Sequence, residues 1–172
     1  MFFKNLRYSK VVDFLVFLLM MIIYQSIISG GVKIGGISLD FPLIILVYVG
    51  LTRGAVFGAV FGFASGLLLD VYAPGLLGLD ALLRTILGFL IGNFRKKLFL
   101  ETLYSKGGII FVAFLWHDLF YYLLVTGFQV GATIYILLFN SLPSALYTTL
   151  VGMLIFGLIQ KRFIQLERVV EP

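Results

Sequence analysis

The sequence predicts an all-α membrane protein built as a bundle of six membrane-spanning helices. Its 172 residues are 61% hydrophobic and only 12% charged. A single water-soluble globule of this size cannot bury so many apolar side chains, so lipid must cover most of them. The polar segments between the apolar runs are short, which favours one integral membrane domain over residues 1–172.

Six apolar runs approach the length of about 20 residues that a membrane-spanning helix needs. Only Thr52 and Arg53 separate the second run from the third. Pro42 near the start of the second run and Gly54 after its end favour a tight hairpin there over one long helix. The runs cover residues 11–29, 37–51, 54–71, 76–92, 108–126 and 133–159.

The basic residues predict the orientation of the bundle. With the amino terminus in the cytoplasm, only Lys33 of the 13 lysines and arginines falls in an outer loop, and Arg84 lies inside the fourth run. The remaining basic residues then lie on the cytoplasmic side, as the positive-inside rule requires. The sequence therefore predicts an integral membrane protein with both termini in the cytoplasm.

The longest polar segment, residues 93–106, begins with the basic residues Arg95, Lys96 and Lys97. It is interpreted as an ordinary positive-inside loop, as a short amphipathic helix on anionic lipid, or as a docking site for a cytoplasmic partner. In a soluble protein the net charge of +5 would suggest nucleic acid. Here the charge follows membrane topology, and no nucleic-acid partner is predicted.

Glycines recur at four-residue spacing in the third run, at Gly54, Gly58, Gly62 and Gly66. This spacing places them on one side of a helix, which we call the glycine face. A surface without side chains lets another backbone approach closely. It serves either packing within the bundle, against the second or fourth run, or contact with a partner helix, including a second copy of the chain.

Three charged residues follow the glycine face and form a predicted ionic cluster near the outer surface. Asp80 and Arg84 stand one helical turn apart in the favourable order for a pair. A turn after the third run would bring Asp70 close to Arg84. Charged side chains within a membrane are usually functional, so a clamp that holds the hairpin and a partner site are both hypotheses.

A second polar group lies deeper in the membrane, at His117 and Asp118 in the fifth run. Asn140 and Ser144 in the sixth run lie at a comparable depth, and Pro143 between them should kink that helix. A buried polar contact between the fifth and sixth runs is the favoured interpretation, with a partner or ligand contact as the alternative.

An uncharacterised membrane enzyme is a further alternative that rests only on His117 and Asp118, and no enzyme motif appears elsewhere in the sequence. The chain has no cysteine and a single histidine, which leaves no typical metal-ligand pattern. It carries no phosphate-binding loop and no dinucleotide fingerprint. Catalytic residues, cofactors and metals are accordingly predicted to be absent.

Residues 43–92 resemble the MreD family of bacterial rod shape-determining proteins. The resemblance rests on a Gly-Leu-x-Arg-Gly turn at 50–54 and a Gly-Phe-x-x-Gly-Leu-x-x-Asp pattern at 62–70. It also rests on Leu-Gly-Leu at 77–79 followed by Ala-Leu at 81–82. The chain departs from the family pattern at Leu76, where proline is expected, and at Asp80, where asparagine is common.

The resemblance implies a non-enzymatic scaffold of the cell-elongation machinery. Such a protein would bind the single-span protein MreC and work with an MreB-like filament and peptidoglycan synthases. The family is also thought to share the six-helix fold of the substrate-binding subunits of energy-coupling-factor transporters. This implies an alternative, a vitamin-type substrate-binding subunit, but the first run lacks the Ala-x-x-x-Ala face that such subunits usually show.

Overall fold

The structure, a computed structural model, describes residues 37–72, 76–95 and 102–170, together with Leu19 and Ile23. Side chains are described as far as Leu158, apart from that of Tyr72. Nearly all of the predicted first helix, and Lys96 and Lys97 of the basic loop, lie outside the described residues. Within this part of the chain every regular element is helical, which confirms the predicted all-α class.

The described chain forms six α-helices, two of which join through a π-helical turn at Leu137–Ser141. The stretches Leu103–Val125 and Val130–Leu158 are long and apolar enough to cross a membrane, whereas Phe41–Arg53 and Ala55–Val71 are apolar but shorter. The helices are α1 Phe41–Arg53, α2 Ala55–Tyr72, α3 Leu79–Phe94, α4 Leu103–Val125, α5 Val130–Ile136 and α6 Leu142–Val170.

Helix α1 is the centre of the bundle. Asp40 caps its first turn by accepting a hydrogen bond from the backbone N–H of Leu43, and Pro42 fits the start of the helix because no N–H is needed there. Leu43, Leu46 and Val47 are fully buried. The helix packs against α2, α3, α4 and α6, so it forms the core around which the others are arranged.

The predicted hairpin between the second and third runs is present, with Gly54 between α1 and α2. Its φ of +94° lies where side chains are strained. The N–H of Gly54 donates to the carbonyl of Gly50 at 3.0 Å, which closes α1. Glycine therefore allows α2 to begin with a single residue between it and the end of α1.

The last apolar run is longer and less regular than predicted. The structure gives helix from Val130 to Val170, interrupted only by the π-helical turn. Pro143 follows that turn by two residues and lacks the N–H that an α-helix would use. The π-helical turn contains Phe139, four residues before Pro143, which is the position whose carbonyl a proline ring would contact in a regular α-helix.

Candidate functional site

The candidate site is built around Arg84, a nearly fully buried side chain in α3. Its guanidinium group forms a bidentate pair with Asp40. Arg84 Nη2 lies 2.7 Å from Asp40 Oδ2, and Nη1 lies 3.2 Å from Oδ1. Asp40 thus caps α1 and at the same time ties it to α3. The backbone N–H of Asp40 donates to the Thr148 hydroxyl at 3.2 Å, which adds α6 to the same junction.

Asp80 connects this pair to α4. Arg84 Nε donates to Asp80 Oδ1 at 3.4 Å, one helical turn away, as the sequence predicts. The same carboxylate oxygen lies 2.9 Å from His117 Nε2. Three helices therefore meet at a buried group of charged and polar side chains, and a buried charge is tolerated only when it is paired in this way.

His117 extends the network to Asp118, its neighbour in α4. His117 Nδ1 lies 3.3 Å from Asp118 Oδ1, and the ring of Tyr121 stacks on the imidazole with centroids 5.9 Å apart. Carboxylates alternate with cationic or potentially cationic side chains along the whole connection. We call it the ionic chain; its members are Asp40, Arg84, Asp80, His117 and Asp118.

Asp70 is buried as expected, but its partner differs from the predicted one. Its carboxylate accepts hydrogen bonds from the backbone N–H groups of Asp80 and Ala81, at 3.1 and 3.0 Å, rather than from Arg84. The sequence suggested a cation because a carboxylate at the end of α2 is unfavourable for the helix dipole. In the structure the same carboxylate sits at the start of α3, where free N–H groups and a favourable dipole satisfy it.

The glycine face is used for packing within the chain, against α3. A Cβ atom at Gly58, Gly62 or Gly66 would overlap backbone atoms of α3, so the two helices touch through their main chains. This covers the face that would otherwise be open to a partner helix. The contacts join Gly58 to Gly88, Gly62 to the Arg84 carbonyl, and Gly66 to Ala81.

Gly54 is the first residue of the predicted glycine face, but its neighbour differs from those of the other three glycines. It lies in the turn before α2, where an added Cβ would be 3.1 Å from Nη1 of Arg95. Arg95 follows α3, and its Nη1 donates to the Thr52 carbonyl at 3.3 Å. This residue of the basic loop therefore ties the end of α3 to the hairpin.

The predicted contact between His117 and the sixth run differs from the structure. His117 pairs with Asp80, and Asn140 is exposed on the surface of the chain. Ser144 is buried, where its hydroxyl accepts from the backbone N–H of Ser38 at 3.2 Å. Asn140 lies in the π-helical turn and points outward, whereas Ser144 lies in the first turn of α6 and points inward.

Comparison with known proteins assigns the chain to a family. The family model described as rod shape-determining protein MreD matches residues 7–168. The chain belongs to the MreD family. No curated protein and no solved structure matches it.

Membership in the MreD family makes this chain a rod shape-determining membrane protein, from a family that is not known for catalysis. Within the described ranges, no group of three or more histidine and carboxylate side chains is placed to hold a metal ion. The geometry of the site supports a mechanical role, in which these residues hold the helices in fixed positions. The ionic chain fixes α1, α3 and α4 together, and the glycine face fixes α2 on α3.

Two parts of this site were not predicted from the sequence. Asp40 is the main partner of Arg84, although 44 residues separate them. The sequence near Asp40 could have indicated its position at the start of a helix. An acidic residue two positions before a proline is typical of a helix N-cap. Gly88 and Gly92 complete the packing of α2 on α3, and their four-residue spacing matched that of the glycine face.

Proposed function

We propose that this chain is a six-span inner-membrane scaffold of the cell-elongation machinery, with both termini in the cytoplasm. In this proposal it binds MreC and links an MreB-like filament to the peptidoglycan synthases outside. Anionic lipids at the basic loop of Arg95, Lys96 and Lys97 would help hold the cytoplasmic face against the membrane. The family match over residues 7–168 is the observation that carries the proposal.

The interior of the bundle supports a positional role. A scaffold must keep its outer and cytoplasmic surfaces in a fixed relation, and this requires helices that do not slide. The bidentate Arg84–Asp40 pair sets the register of α1 against α3. Direct backbone contact at Gly62 sets the distance between α2 and α3. Because α3 covers the glycine face from Gly58 to Gly66, the proposal has MreC bind elsewhere on the bundle.

The experiment is removal of the chain from the bacterium that encodes it, with re-expression of the wild type or of variants. We expect rounded cells without it and restored rods with it. MreC should co-purify with the wild type from gently solubilised membranes, as detected by native mass spectrometry. Exposed Asn140 offers a matched control, because Asn140→Leu removes a polar group without touching the ionic chain and should preserve both results.

Two outcomes would contradict the proposal. One is rod shape that persists after complete removal of the chain. The other is a folded chain that carries a retained small molecule and no protein partner, which would favour the transporter-subunit alternative. The resemblance of the fold to energy-coupling-factor subunits stays a prediction and is not needed for either test.

A further inference from the structure

The ionic chain has an excess of negative charge. It contains three carboxylates, but only Arg84 and His117 can carry positive charge. Each ring nitrogen of His117 faces a carboxylate oxygen, and a neutral imidazole donates from only one of its nitrogens. Even with the imidazole doubly protonated, two positive charges face three negative ones. With all three carboxylates ionised, at least one negative charge is unmatched.

The structure places this unmatched charge at Asp118. Asp40 receives two hydrogen bonds from Arg84 and Asp80 is held by Arg84 and His117, whereas the Asp118 carboxylate has only His117 Nδ1, at 3.3 Å, among the described residues. Its side chain is 17% exposed, so Asp118 is the member of the ionic chain most open to the surface, and its second oxygen has no hydrogen-bond partner among the described residues. Asp118 is the last member of the ionic chain, and its carboxylate can accept a further hydrogen bond.

Asp118 also lies within a helix of membrane-spanning length. It stands seven residues before Val125, the last residue of α4, which is about 10 Å along the helix axis. The following residues, Leu119 and Phe120, are exposed and apolar. An ionised carboxylate in such surroundings is costly and normally pairs with another group. The group that approaches it must present apolar surface together with a hydrogen-bond donor of positive charge.

We propose that Asp118 is the docking point for an arginine or lysine on a membrane-spanning helix of a partner protein. Only such a helix combines an apolar surface with a cation at this depth. A metal ion is disfavoured because the described side chains form no group of three ligands there. A lipid amine would have to descend from the headgroup region to reach the carboxylate. The inference holds whether or not the partner is MreC.

The test uses the full-length protein in liposomes of phosphatidylglycerol and phosphatidylethanolamine, and two synthetic helices of about 24 residues. Both helices are polyleucine, and one carries a single arginine about 10 Å from its outer end. Energy transfer between dyes on protein and peptide gives the affinity. We expect the wild type to bind the arginine helix about tenfold more tightly than the leucine helix, a difference of about 1.4 kcal/mol.

Asp118→Asn removes the charge with almost no change in shape, and it should abolish the preference while leaving binding of the leucine helix unchanged. The variant D118N/L119D keeps a carboxylate but turns it by about 100° around α4, and it should not restore the preference. The fluorescence of Trp116, the single tryptophan of the chain, shows whether each variant retains its fold.

Four results would overturn the proposal. The first is equal binding of both helices to the wild type. The second is a preference that survives in D118N. The third is a preference seen only without phosphatidylethanolamine, which would assign the site to a lipid amine. The fourth is a preference that requires Lys33→Gln, which would show that the chain itself supplies the cation.

Discussion

Helix α3 contacts its neighbours through different kinds of interaction on its two sides. Toward α2 it contacts the glycine face, where backbone lies on backbone and no side chain intervenes. Toward α1 and α4 it contributes Arg84 and Asp80 to the ionic chain. The glycine side fixes how closely two helices approach, and the charged side fixes how they are rotated and aligned.

This difference explains why the smallest and the most costly residues of the chain lie so near each other. At Gly62, α2 contacts the main chain of Arg84 directly. The side chain of Arg84 therefore extends to the other side of α3, where its guanidinium group binds Asp40 at the start of α1. The glycine interface should therefore be sensitive to added volume and indifferent to charge. The ionic chain should be sensitive to lost charge and more tolerant of altered volume.

The largest effect is expected for Arg84→Leu. Removing the guanidinium leaves the Asp40 and Asp80 carboxylates buried without their cation, and breaking a buried pair from one side costs about 3–5 kcal/mol. The loss of stability is measured by unfolding the protein in a detergent titration, with Trp116 fluorescence as the signal. The triple variant D40L/D80L/R84L should recover much of it, because no buried charge is then left unpaired. A loss below about 1 kcal/mol for Arg84→Leu would show that the ionic chain is not a clamp.

A smaller but still clear effect is expected for Gly62→Ala. Its methyl group would overlap the Arg84 carbonyl and force α2 away from α3, with an overpacking cost of about 1–3 kcal/mol. Gly108→Ala is the matched control, because a Cβ at Gly108 meets no atom within 4 Å. That variant should be neutral or slightly stabilising, since alanine favours helix by up to about 1 kcal/mol. Equal stability of the two variants would disprove direct backbone contact.

The smallest effect is expected for Asp70→Ala, which acts where the two interfaces meet. The change removes the acceptor for the N–H groups of Asp80 and Ala81 and should cost about 0.5–2 kcal/mol, as for other helix caps. Asp70→Asn keeps an acceptor oxygen and should retain most of the stability. The same detergent titration distinguishes the two. If Asp70→Asn were as unstable as Arg84→Leu, Asp70 would act as an ion-pair partner instead of a cap.

Much of the local architecture was predictable. Gly54 and Pro42 indicated the hairpin, and the helix boundaries of α2 and α3 lie within a few residues of the predicted runs. The glycine spacing indicated close packing, and the Asp80–Arg84 pair follows from their separation of one turn. These features depend on residues a few positions apart, whose relative placement a helix fixes by itself.

The sequence by itself determined the helical membrane class, the break at Gly54, and the presence of a surface made for close contact. Tertiary structure alone decided that α3 covers the glycine face, that Asp40 holds Arg84, and that His117 turns to Asp80 instead of to Asn140. The physical reason is that helical periodicity shows which residues share a face, while the rotation and height of one helix against another depend on every contact in the bundle at once. The sequence marked Asp118 as a polar residue within a membrane-spanning helix, but only the tertiary structure leaves its side chain partly exposed with His117 as its hydrogen-bond partner.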